Sequence, residues 1–156
     1  MDNTVRKEDG FGFVEEDTQK DKYLTFSLAD EVYAIDICYV TEIIGILKIT
    51  KVPDMPSFIK GVINLRGKVI PVMDVRARFG LPAREYDERT CVVVVNVVDN
   101  AMGLVVDRVN EVMDIPAEQV EPPPASKGSG RGKYVKGIGK VEDEVKILLD
   151  VECLVD

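Results

Sequence analysis

Phe58-Ile-Lys-Gly-Val-Ile-Asn-Leu-Arg-Gly-Lys-Val-Ile-Pro-Val-Met-Asp-Val75 decides how this chain is read. Two short apolar strands flank an Arg66-Gly67 turn, and Asp74 stands where a side-chain oxygen caps a short helix. The same pattern returns as Tyr134-Val-Lys-Gly-Ile-Gly-Lys-Val-Glu-Asp-Glu-Val-Lys-Ile-Leu-Leu-Asp-Val151, aligned without a gap. Lys60, Gly61, Val69, Asp74 and Val75 recur as Lys136, Gly137, Val145, Asp150 and Val151. A second matching pair lies upstream of these hairpins. Ala34-Ile35, Ile37, Val40 and Glu42-Ile43 correspond to Gly103-Leu104, Val106, Val109 and Glu111-Val112. The second copy has the longer connection before its hairpin, which places the extra residues near Gly128. The chain therefore reads as two copies of one small β unit.

Working outward, residues 1–21 are charged and lack helical or strand period, so they read as a flexible acidic tail carrying a short apolar patch, Phe11 to Val14. Order begins at Tyr23, where Leu24, Phe26 and Leu28 alternate with polar positions. A turn at Ala29-Asp30-Glu31 leads to a strand from Val32 to Ile37. Val40, Ile43 and Ile44 then fall at helical spacing, closed by Gly45, and Ile46 to Val52 reads as another strand. Pro71 cannot donate to a ladder, which places its strand at an edge or a bulge. Ala83 to Arg89 is a polar linker, and the unbroken run Cys91-Val-Val-Val-Val-Asn-Val-Val98 predicts a strand covered on both faces, between the two halves. Many short strands and almost no long helix give a mainly β fold.

At 156 residues the chain is one domain, or two small ones sharing an interface. A chain of this size buries about two-thirds of its unfolded surface, whereas either half alone would be marginal. The halves are therefore expected to unfold together. No apolar run approaches the roughly 18 residues that a membrane helix needs, and the charged start lacks a signal-peptide core, so a cytoplasmic protein is expected. Cys38, Cys91 and Cys153 are an odd number at wide spacing, which argues for packed thiols over a disulfide framework or a zinc site. With no histidine in the chain, the usual serine, cysteine and zinc hydrolases lose their base or ligand. A net charge of −8 opposes phosphate-backbone binding. Neither cofactor nor metal is expected.

Three sets of residues invite a functional reading. Gly128-Ser-Gly-Arg-Gly-Lys133 has the wrong spacing for a phosphate loop, and Tyr134 stands where that loop needs Ser or Thr. Asp74 and Asp150 repeat as helix caps, so neither reads as a catalytic carboxylate. Arg66 differs: its counterpart is Glu142, so the turn does not require arginine, and a partner is one reason for it to be there. Glu42 is repeated as Glu111, which favours a structural role for that pair.

These residues resemble a known family, the CheW-like domains of bacterial chemotaxis. The resemblance runs from about Lys22 to Leu154 and rests on Tyr33-Ala-Ile-Asp-Ile37, Val40-x-Glu42-Ile43, Gly61-x-x-Asn64-Leu-Arg-Gly67, Val69-Ile-Pro-Val-Met-Asp74, Gly103-Leu-Val-Val-Asp107-x-Val109 and Leu148-Leu-Asp150. It implies two five-stranded SH3-like barrels packed side by side with short connecting helices. The first would span about 22–86 and the second about 87–156, with room for a strand to be exchanged between them. It also implies a non-catalytic adaptor, joining the cytoplasmic tips of chemoreceptors to the regulatory domain of the histidine kinase CheA. Carried onto matching positions, a receptor helix would meet Val40, Ile43, Ile44, Gly61, Leu65, Arg66, Gly103 and Val112, and the kinase would meet Glu42. The alternatives are a CheW-like regulatory domain of the kinase itself or of a receiver-linked coupling protein; the lack of an ATP-binding or receiver segment favours the free-standing form. From another class, a tandem small-barrel nucleic-acid-binding protein is opposed by the acidic balance and the absence of Trp. The expected location is the cytoplasmic face of the membrane, reached through receptor arrays without insertion.

Overall fold

The computed structural model describes residues 20–123 and 130–155. The patch at Phe11 to Val14 and the first part of the Gly128 loop lie outside the described residues. Strands β1 (Lys22–Leu28) and β2 (Glu31–Asp36) form a hairpin, and a 3-10 turn at Ile37–Tyr39 leads into β3 (Val40–Gly45). Next come β4 (Ile59–Leu65), β5 (Lys68–Asp74) and the short α1 (Val75–Arg78). The second copy supplies β6 (Cys91–Val97), β7 (Asn100–Val106), β8 (Arg108–Asp114) and the two-residue β9 (Val120–Glu121). It ends with β10 (Val135–Val141), β11 (Glu144–Leu149) and α2 (Val151–Val155).

The duplication read from the sequence is present in the backbone. Both hairpins are antiparallel, and each carries a bulge at the matching place, between Ile59 and Gly61 and between Val135 and Gly137. Asp74 accepts from the Ala77 amide at 3.3 Å, and Asp150 accepts from the Cys153 amide at 3.2 Å, so both short helices are capped as expected. The amides of Asp74 and Asp150 donate to Phe58 and Tyr134 carbonyls, each at 2.8 Å. Those two aromatic residues are themselves a repeat pair.

The strands assemble into a five-stranded sheet, ordered β3-β6-β7-β5-β4, and a six-stranded one, ordered β9-β10-β11-β2-β1-β8. Neither sheet follows a division of the chain near residue 86. β1 and β2 lie in the sheet of the C-terminal hairpin, and β6 and β7 lie in the sheet of the first hairpin. The joints are parallel and equivalent: Val72 pairs with Gly103, and Leu148 pairs with Ala34. A whole hairpin is thus exchanged in each direction. The strand before each short helix, β5 or β11, would otherwise leave an unpaired edge, and the other copy's hairpin supplies the missing hydrogen-bonding groups.

Three local readings are corrected by this assembly. Val40 to Ile44 forms an edge strand paired with Val92–Val95, because its β-branched side chains fit a pleated surface beside the valine run of β6. Ile46 to Val52 contributes a single bridge instead of a strand, in which Thr50 and Val62 exchange two backbone hydrogen bonds of 2.9 Å. Pro71 lies on β5, an interior strand, where its missing N–H does no harm: Val62 opposite it is already bonded to Thr50, and the ladder to β7 begins only at Val72.

β6 behaves as the sequence predicts. Val93 and Val95 enter a central core shared by both sheets, while Val92 and Val94 enter the interior of the five-stranded subdomain with Ile63, Ile70, Val72 and Val105. Tyr23, Ala34, Ile115 and Leu148 form the smaller interior of the other. Leu24, Phe26, Leu28 and Ile35 from one sheet meet Met73, Leu104 and Val106 from the other in the central core. At about 1.5–3 kcal/mol per buried side chain, this shared layer holds the two subdomains as one body. An aromatic file, Phe26–Tyr33–Phe79–Tyr134, crosses it with centroids 6.0, 5.5 and 5.5 Å apart. The Arg78 guanidinium lies 4.1 Å from the Phe58 ring centroid and 5.1 Å from that of Tyr134, joining the repeat pair.

Candidate protein-interaction site

The turn between β4 and β5 presents Arg66 by backbone geometry. Arg66 and Gly67 have φ of 53° and 87°, and the Gly67 amide donates to Asn64 Oδ1 at 2.8 Å. Two successive left-handed residues make the tight turn that suits the twist of a hairpin. Glu142 and Asp143 do the same in the second copy, with φ of 51° and 70°. The turn thus tolerates either charge, and arginine at 66 answers to something other than the backbone.

The Arg66 guanidinium is ion-paired with Glu42 on β3. β3 and β4 are the opposite edges of the five-stranded sheet, so this contact and the Thr50–Val62 bridge join edges that a flat sheet would hold apart. The sheet curls into a barrel, and the pair spans its rim. Arg66 is 69% exposed and Glu42 29%. An ion pair this open contributes about 0.2–1 kcal/mol, so a partner can displace it cheaply.

The other positions named from sequence divide into two groups. Ile43 and Val112 are the same position in the two copies, on the edge strands β3 and β8 of the two sheets, and are 42% and 48% exposed. Val40 and Ile44 are half-buried, Val40 against the central core and Ile44 beside Leu65 against the five-stranded interior. The strand period turns Ile43 away from Val40 and Ile44, which separates the stripe that a helix would have made. Gly61 and Gly103 are buried. A Cβ on Gly61 would fall 2.1 Å from the Thr50 carbonyl oxygen, and one on Gly103 would fall 2.7 Å from a Val92 methyl. These two glycines let other segments approach and offer no side chain to a partner.

Two features escaped the sequence reading. A groove of about 640 Å³ lies between the ends of β5, β6 and β7 and α2, lined by Val69, Val97, Val98, Met102 and Val155 among others. Val98 is 83% exposed with φ of 48°, an unfavourable conformation for a β-branched side chain. The available signal was apolar Val69 and Val98 at hairpin ends, where polar residues are usual. The second feature is the linker after α1, which is pinned down: Tyr86 donates to Asp74 Oδ2 at 2.7 Å, and Arg84 pairs with both Asp87 and Asp107. Asp107 also receives two hydrogen bonds from Arg76 at 2.8 Å and one from the Ala29 amide at 2.9 Å. Burial pushes its carboxyl up, and these donors with the charges of Arg76 and Arg84 outweigh that, holding it below the usual carboxylate range.

A protein-family comparison matches residues 22–156 to the CheW-like domain. The chain belongs to the CheW-like domain family. The Chemotaxis protein CheW of Klebsiella aerogenes is 39% identical over 138 residues, covering 88% of this chain and 83% of that protein. The crystal structure of scaffolding protein TtCheW from Thermoanaerobacter tengcongensis superposes with a TM-score of 0.80 at 40% identity, covering 86% of this chain and 91% of that one. Chemotaxis protein CheV3 of Helicobacter pylori is 27% identical, and the match covers 41% of its length. The mainly β architecture of two SH3-like subdomains is that of this CheW-like neighbour.

The Cys38 thiol is pushed up to about 11 by burial and by its hydrogen bond and proximity to Asp36, away from the thiolate that a nucleophile needs. Among the described residues, no helix is long and apolar enough to cross a membrane.

Proposed function

We propose that this chain is a non-catalytic adaptor that couples chemoreceptors to the histidine kinase CheA. Its relatives are chemotaxis proteins, the solved neighbour is titled a scaffolding protein, and the match spans most of each of those proteins. The observation that carries the reading is the exposed Arg66–Glu42 pair at a barrel rim, beside the apolar Ile43.

The receptor's cytoplasmic tip, a helix, lies across Ile43, Leu65, Arg66 and Val112, while Val40 and Ile44 support that surface from beneath and Gly61 and Gly103 hold its strands in place. The kinase regulatory domain takes the face around Glu42. Arg66 and Glu42 neutralise one another in the free chain. A receptor carboxylate or carbonyl that engages Arg66 therefore releases Glu42, and the two contacts influence each other. The adaptor sits at the cytoplasmic face of the membrane through the receptors it binds.

Titration of a receptor-tip fragment against wild type, Arg66→Ala and Arg66→Glu tests this. Loss of one charge-assisted contact weakens binding by roughly tenfold or more, and reversal to Glu weakens it further. Equal affinity across the three proteins would reduce Arg66 to a solvated turn residue. In a parallel pull-down, Glu42→Lys is expected to lose the kinase regulatory domain while keeping its melting temperature.

A further inference from the structure

On the linker side of the molecule, away from the Arg66 rim, a second cavity of about 210 Å³ is lined by Ser27, Ala29, Arg84, Arg89, Asp107 and Arg108. Its walls come from three parts of the chain: the β1–β2 turn, the linker after α1, and the junction of β7 with β8. Three of the six lining residues are arginine in a chain whose net charge is −8. The Asp107 carboxylate already accepts from Arg76 twice, from Arg84 and from Ala29. Asp87 occupies the other side of Arg84. Arg76 and Arg84 are thus paired with these two carboxylates, and Arg89 and Arg108 are the cavity's two cations outside those pairs.

The remaining donors are held in place. Asn110 accepts from Arg108 Nε at 3.1 Å, which fixes that side chain and leaves its two terminal nitrogens to donate elsewhere. The Asn110 amide nitrogen donates to Ser27 Oγ at 3.0 Å, so the Ser27 hydroxyl keeps its own hydrogen for another acceptor. One asparagine therefore prepares a guanidinium and a hydroxyl on the same cavity. A small group with several acceptor oxygens and close to two negative charges matches such a set, and a phosphoryl group carries about −1.5 to −2 at neutral pH.

We propose that the Ser27–Arg84–Arg89–Arg108 cavity is a binding site for a phosphoryl group of a small molecule. The bound group links the β1–β2 hairpin, the linker and β8, which belong to different copies of the repeat, and so braces the exchanged assembly.

The test uses the full chain with two probes, inorganic phosphate and free phosphoserine, each against sodium chloride at matched ionic strength. Phosphate stabilises many proteins by exclusion from their surface, an effect that does not depend on two particular arginines. Comparison with Arg89→Gln/Arg108→Gln removes that component, and both positions are exposed, so the fold is retained. The expected result is a saturable rise in Tm for wild type and a loss of affinity of at least about tenfold in the double variant. A second readout is amide chemical shifts, expected to move at Ser27, Ala29, Arg84, Arg89 and Arg108 in wild type. Response to both probes assigns the site to the phosphoryl group itself; response to phosphoserine alone assigns it to phosphate monoesters. An equal Tm rise in wild type and variant, or shifts scattered over other lysines and arginines, would overturn the proposal.

Discussion

Gly61→Ala is expected to damage the fold of this protein directly, although the resemblance to its family places that residue among the receptor contacts. A Cβ at residue 61 would sit 2.1 Å from the Thr50 carbonyl oxygen and 2.8 Å from its carbon, both backbone atoms that cannot swing aside. Residue 61 also has φ of +147°, where an L side chain costs about 1–3 kcal/mol. Thr50 must retreat, and with it go the two 2.9 Å hydrogen bonds to Val62, each contributing about 1 kcal/mol. The loss comes to about 3 kcal/mol or more, a large share of the roughly 5–15 kcal/mol by which a domain is stable. For a chain of this length that lowers Tm by about 6–12 °C. Gly45→Ala is the control, since a Cβ there meets nothing within 4 Å. Denaturant and thermal unfolding of the three proteins, followed by receptor-tip titration well below the lower Tm, separates the effects. Were Gly61→Ala to melt with wild type while losing receptor binding, the close approach to Thr50 would not be what requires glycine there.

Asp107→Asn leaves the Arg76 guanidinium, 13% exposed, without its anion, and is expected to cost about 3–5 kcal/mol in denaturant unfolding at pH 7. The Asp107 pKa is lower in the folded chain than the unfolded value of about 3.9, so its contribution is complete above that value and fades as pH falls through the folded pKa. The gap between wild type and variant should narrow below about pH 4, and a gap constant from pH 7 to pH 2 would refute the assignment. Residues 22–89 expressed alone are expected to give no cooperative melt, because β1 and β2 have their remaining partners in β8 and β11. A sharp transition near that of the full chain would show that the first half assembles a core of its own.

Local features of this fold were legible because each is written into neighbouring residues. The paired hairpins follow from apolar alternation around two-residue turns, and the caps from Asp74 and Asp150 at the same offset from their strands. The valine run of β6 announced a strand with two covered faces, since nothing polar would tolerate either side. The family resemblance came from the same short motifs. What those motifs lack is any record of which strand lies beside which. A strand's donors and acceptors are the same groups whatever pairs with them, so Val72 could not reveal Gly103 as its neighbour, nor Leu148 reveal Ala34. Only closure of the two sheets decided that whole hairpins are exchanged, and with it much of the candidate site. Val40 to Ile44 carried a helical spacing that its pairing with β6 overrode. Arg66 and Glu42, assigned to different partners from sequence, meet because the sheet curls its opposite edges together. Asp107 finds Arg76 and Arg84 across more than twenty residues, where no periodicity reaches. Turns, caps and strand faces are short-range consequences of backbone geometry, whereas pairing, burial and charge neighbourhoods arise only when distant segments are packed against one another.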